Sequence, residues 1–153
     1  MRTLKYVLQA EDSYKELYFY EHIDKDEISL RYDCDFFVKD GVVYEKVSTE
    51  EYGKHYVIYV KRADDEEADT FKSNFDSFAA FKKGYQFEVR HFKEGIENYP
   101  LVTLMNIYDD DDLTLKLKSD YINVNGETWE KTSTEIDEDR KTFVYYAIPI
   151  HEN

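Results

Sequence analysis

Cysteine, proline and glycine are scarce in this 153-residue chain, which has 1 Cys, 2 Pro and 5 Gly. A single cysteine, Cys34, can form no internal disulfide and cannot supply the clustered thiolates of a structural zinc site. Few prolines and glycines, beside 15 Tyr and 10 Phe, exclude a low-complexity or disordered chain although 35% of the residues are charged. No window holds the roughly 18 uncharged apolar residues that a membrane helix needs. The opening stretch MRTLKYVLQAEDSYKEL has no long apolar run and no small-residue cleavage site. These absences predict a soluble, cytoplasmic protein without membrane contact. Positive charge is the other deficit, with 20 Lys and Arg against 34 Asp and Glu and a net charge of -14. Such a surface repels phosphate backbones and attracts cations, so the expectation is no direct nucleic-acid binding and a basic protein surface as partner. The Lys-, Glu- and Tyr-rich, Ala-poor composition points to an AT-rich bacterial or phage genome.

What the chain does have is an internal repeat at an offset of 85 residues. Residues 26–50 laid over 111–135 give nine identities: Asp26, Leu30, Asp35, Gly41, Glu45, Lys46, Ser48, Thr49 and Glu50 recur as Asp111, Leu115, Asp120, Gly126, Glu130, Lys131, Ser133, Thr134 and Glu135. Composition alone would give roughly one or two. Further pairs keep their chemistry, among them Ile28 with Leu113, Arg31 with Lys116, Asp40 with Asn125 and Tyr44 with Trp129. A two-residue insertion in the second copy then brings Lys54, Val57 and Tyr59 over Lys141, Val144 and Tyr146.

Strict alternation in EISLRYDC and DLTLKLKS predicts half-buried strands. Asp40-Gly41 and Asn125-Gly126 are the dipeptides of a two-residue type I′ hairpin, because both central residues take positive φ. That register sets Phe37 opposite Tyr44 and Ile122 opposite Trp129. Further strands are expected at TLKYVLQ, LYFYEHI, HYVIYVKR, YQFEVRHF, LVTLMNIY and TFVYYAIPI. The fold class so predicted is α+β: two tandem antiparallel β-meander units of about five strands each, as sheets or small barrels, joined by one amphipathic helix. The units span residues 1–62 and 85–153. The helix, 63–84, is marked by Phe71, Phe75 and Phe78 at helical spacing, acids at its start, Lys82 and Lys83 at its end and Gly84 after it.

Residue patterns that could carry chemistry are few. His22, His55, His91 and His151 stand in no nucleophile context, and no Gly-rich phosphate loop occurs. Cys34 aligns with Ser119, which favours a requirement for a small side chain over a reactive thiol. Asp109, Asp110, Asp111 and Asp112 fall in an expected turn between strands; they lack the alternating ligands, central Gly and distal Glu of an EF-hand, so a solvated turn is expected and no metal. Ser48, Thr49 and Glu50, with Ser133, Thr134 and Glu135, are expected to end a strand in each copy. Their hydroxyls can satisfy backbone groups there, or the two matched loops can present a symmetric contact surface. No catalytic residue and no cofactor are predicted. The functional expectation is a non-enzymatic acidic interaction protein, an inhibitor or regulator of a basic partner. The alternatives are a small-molecule or peptide pocket between the repeats, lined by Tyr and Phe, and, ranked last, an enzyme.

Overall fold

The computed structural model describes residues 1–63, 84–96 and 98–151. The expected linking helix lies outside these residues. The alternating stretches expected to be strands are helices instead: α1 spans Lys25–Asp33 and α2 spans Asp110–Lys118. The physical reason is that three apolar residues at spacing two fit both periods. In α2, Leu113 and Leu117 are one helical turn apart and fully buried, while Leu115 faces the other way and is 65% exposed. End signals decide between the periods. Asp109 accepts a hydrogen bond from the Asp111 N–H at 3.0 Å as the N-cap, acids fill the first turn of both helices, and Arg31, Lys116 and Lys118 lie in the last turns.

The strands are β1 (Thr3–Ala10), β2 (Ser13–Tyr20), β3 (Phe36–Lys39), β4 (Val42–Tyr52), β5 (His55–Arg62), β6 (Tyr85–His91), β7 (Leu101–Ile107), β8 (Tyr121–Val124), β9 (Glu127–Asp137) and β10 (Thr142–Pro149). They form one 10-stranded mixed sheet in the order β2-β1-β5-β4-β3-β9-β10-β6-β7, with β8 paired to β9. This overturns the expectation of two antiparallel meanders. After β2 the chain leaves the sheet for α1, re-enters at β3, and β5 returns as a parallel neighbour of β1; β10 returns beside β6 in the same way. A third parallel ladder, Phe36 with Glu135 through Val38 with Asp137, joins β3 to β9 and makes the sheet continuous.

The aligned segments take the same order of elements, α1-β3-β4-β5 and α2-β8-β9-β10. The hairpins pair Phe37 with Tyr44 and Ile122 with Trp129. Asp40, Gly41, Asn125 and Gly126 have φ of 53°, 77°, 52° and 87°, the type I′ geometry that these dipeptides tolerate. The repeated Asp and Lys have a matched duty. Each Lys donates its backbone N–H to the repeated Asp carbonyl, Lys46 to Asp35 and Lys131 to Asp120, both at 2.8 Å. Each ammonium reaches a carbonyl in the last turn of the preceding helix, Lys46 to Tyr32 and Lys131 to Leu117. Helix ends leave carbonyls unpaired and negative, so a cation there ties strand to helix.

Ile28, Leu30, Leu113 and Leu117 of the helices share one core with Leu4, Tyr6, Ile58, Val60, Phe87, Val89, Phe143 and Tyr145 of the sheet. Tyr6 stacks on Phe37 with ring centroids 3.7 Å apart, and the Tyr145 hydroxyl donates to the Ser119 carbonyl at the end of α2. No helix among the described residues is long and apolar enough to cross a membrane.

Candidate functional site

The matched phrase comes apart in space. Ser48, Thr49 and Glu50 lie within β4 and Ser133, Thr134 and Glu135 within β9, not in terminal loops. The first set is exposed, with the Glu50 carboxylate accepting from the Tyr59 hydroxyl at 2.7 Å. In the second, Thr134 is 1% and Glu135 5% exposed, because β3 takes β9 as its neighbour. The Thr134 N–H donates to the Asp35 carboxylate at 2.9 Å, its hydroxyl donates to the Asp33 carbonyl at 3.1 Å, and Glu135 accepts from the Tyr146 hydroxyl at 3.1 Å. Glu135, Ser133 and Tyr146, with Phe36, Phe92 and Tyr99, line a cavity of about 20 Å³ between the two halves, room for one water molecule.

Asp109–Asp112 are likewise not in a turn between strands. They cap and open α2, where acids complement the positive helix end. Helix α1 packs on α2 and places Asp26 and Glu27 in its own first turn. The two acidic ends meet around Tyr85: burial pushes its phenol far up, helped by a hydrogen bond to Asp110 and by the charges of Glu27 and Asp26. At the opposite end of the helix pair, Lys118 donates to Asp33 at 2.8 Å. Asp26, Asp111 and Asp112 enter no ion pair among the described residues, and no group of acids, histidines and cysteine among those residues is arranged to hold a metal ion.

The molecule buries its charges where no sequence motif marks them. Residues 137–141, which carry the two-residue insertion, replace the tight turn that the first half makes at Gly53. From this loop Glu138 enters the first half, forms an ion pair with Arg31 and accepts from the Tyr20 hydroxyl at 3.3 Å. The Arg31 guanidinium lies 4.8 Å from the Tyr20 ring centre and donates to the Tyr6 hydroxyl at 3.3 Å. Asp139 accepts from the backbone N–H groups of Asp40 and Gly41 at 2.7 and 2.8 Å, clamping the first hairpin turn. Arg140 turns back into the second half, bonding Asp137 at 2.8 Å and Glu88 at 2.9 Å, and Glu88 also accepts from Arg90 at 2.8 Å. Burial raises the Glu88 carboxyl, but hydrogen bonds from Arg90 and Arg140 outweigh it and the net direction is down. Glu138 also ends below its usual range, since the Arg31 charge and hydrogen bond overcome burial. The only sequence signal was the insertion itself, rich in charge and therefore naturally read as a solvated loop.

These buried groups are engaged with one another instead of converging on a space that a substrate could enter. The histidines are scattered: His55 bonds the Thr3 hydroxyl at 2.8 Å, His151 lies 3.4 Å from Glu127, and His91 packs edge-on against Trp129. Cys34 is buried, which pushes its thiol well above the usual range and away from thiolate chemistry. An open cleft of about 380 Å³ is lined by Met1, Arg2, His22, Ile23, Asp24, Lys25 and Asp26, a mixture of both signs. No known protein family matches the sequence, and no curated protein or solved structure resembles it.

Proposed function

We propose that this chain is a non-enzymatic binding protein that engages a basic protein surface, acting as an inhibitor or regulator of that partner in the cytoplasm. The observation that carries this reading is the convergence of Asp26 and Glu27 from α1 with Asp109–Asp112 from α2 at one end of the helix pair. Acids brought together by two separate segments, with Glu27 paired to Arg31 but Asp26, Asp111 and Asp112 in no ion pair among the described residues, give a concentrated negative field, which favours encounter with a cationic surface. The shared element order of the two halves supports their descent from one copied module, which set two acid-starting helices side by side. A pocket between the halves has less support, because the cavity there holds about 20 Å³.

The test compares the native chain with a variant carrying Asp109→Asn, Asp111→Asn and Asp112→Asn. Asparagine at position 109 still caps α2, so the fold is retained while charge is removed. Immobilised native protein is expected to retain a discrete basic protein at about 50 mM salt and to release it near 500 mM, where the screening length falls to about 4 Å. The variant is expected to retain at least tenfold less. Equal retention by both proteins, or none by either at low salt, overturns the proposal.

A further inference from the structure

The sheet ends in two unlike edges. At one end, β2 carries Lys15 and Glu16 at its middle and a bulge at Leu17, where the register against β1 steps from Tyr18 to Glu16. Charges and bulges are the usual protection of an edge strand against pairing. At the other end, β7 reads LVTLMNI, without a single charge in a chain that is 35% charged. In that respect it matches the central strand β10, TFVYYAIP. Its own bulge lies near its start, at Val102, which leaves Thr103–Ile107 in regular register with β6. Among the described residues β7 has β6 on one side and no strand on the other.

We propose that β7 is a self-association edge, pairing antiparallel with β7 of a second copy about a two-fold axis near Leu104 and Met105. In such a pair the residue at the axis meets itself, and those around it meet residues of the same sheet face. Along β2 this rule would set Lys15 against Lys15, or Glu16 against Glu16, in the central registers. Along β7 every register opposes uncharged side chains, with Thr103, Leu104 and Met105 meeting one another. A molecule of net charge -14 can meet its own copy closely only where charge is absent, and a neutral strand offers a basic strand nothing to recognise. The occupant that fits is therefore the same chain. The acidic end of α2 begins two residues beyond this strand, at Asp109, but the two readings differ in salt dependence: association between like-charged copies tightens as salt rises, whereas capture of a basic partner weakens.

The experiment is sedimentation equilibrium on the whole chain at about 50 and 500 mM salt. A dimer whose dissociation constant falls at least threefold at the higher salt is expected. Leu104→Lys sets like charges across the axis and is expected to weaken the dimer at least tenfold, and Leu104→Glu likewise. An equimolar mixture of the two variants is expected to restore dimers, which a merely misfolded variant would not do. Asn106→Lys, at an exposed position of the same edge, repeats the test should position 104 prove intolerant. A monomer at both salts for the native chain overturns the proposal. So does a dimer that survives Leu104→Lys and Asn106→Lys in folded protein.

Discussion

Ser48-Thr49-Glu50 and Ser133-Thr134-Glu135 are the same three residues in the same strand of two halves built alike, yet the first set faces solvent and the second is mostly buried. Leu30 and Leu115 diverge further: the first is fully buried, the second 65% exposed. The pairs that do behave alike are those with a local backbone duty, such as Lys46 and Lys131 at the helix ends and the two type I′ turns. Identity between the halves therefore records shared local construction, whereas burial is set by which neighbour each half acquires across the seam.

The largest way to break this comparison lies in the loop that only the second half has. Glu138→Ala leaves the buried Arg31 guanidinium with only Glu27, 3.4 Å from its Nε, as a counter-ion, and a loss of about 3–5 kcal/mol is expected in urea unfolding. The same pair governs acid sensitivity. Because the Glu138 carboxyl is held below its unfolded value, its contribution is full above the usual 4.5 and is lost as pH falls through the lower folded-state value. Between pH 7 and 3, the native chain is expected to lose stability faster than Glu138→Gln; parallel curves would contradict the assigned direction. Next comes the contrast in the helices. Leu30→Ala is expected to cost about 2–5 kcal/mol, as for other filled core sites, and Leu115→Ala to stay within about 0.5 kcal/mol, as for exposed positions. The turns sharpen the comparison by equality, since Gly41→Ala and Gly126→Ala should each lose about 1 kcal/mol at a positive φ that a Cβ disfavours. The smallest effect separates the matched threonines. Thr134→Ala should cost about 1 kcal/mol through its lost hydrogen bond, and Thr49→Ala close to nothing. Similar losses for the two would mean that both halves use this position alike.

The hairpins were legible in the sequence because Asp-Gly and Asn-Gly meet a backbone demand that few other pairs satisfy, and the run of β-branched and aromatic residues from Tyr56 to Val60 marks β5 as a strand directly. The helices pass for strands in the sequence because the apolar spacing Ile28, Leu30, Tyr32 and Leu113, Leu115, Leu117 is too short a run to fix a period. The better signals were Asp109 and Asp24 ahead of further acids, with bases one helix length later. Parallel pairing of β1 with β5 left no mark in the sequence, since a strand's own residues do not state who sits beside it. The acids of the candidate site were legible as a list, but their convergence depends on α1 lying against α2. Arg31 and Glu138 were the least legible, because long charged side chains are read as exposed unless a partner is known.

The parallel ladder between β3 and β9 joins residues 99 positions apart, as in the bond from Asp35 to Thr134. While the ribosome builds the chain at about 5–20 residues per second, the amino-terminal half waits about 5–20 seconds for that neighbour. During the wait the outer side of β3 is bare and the Arg31 guanidinium has no counter-ion from the loop that has yet to emerge. A nascent chain stalled before Glu135 would be the form most open to chaperones and proteases, and synthesis of the rest of β9 and of the loop after it is what closes it.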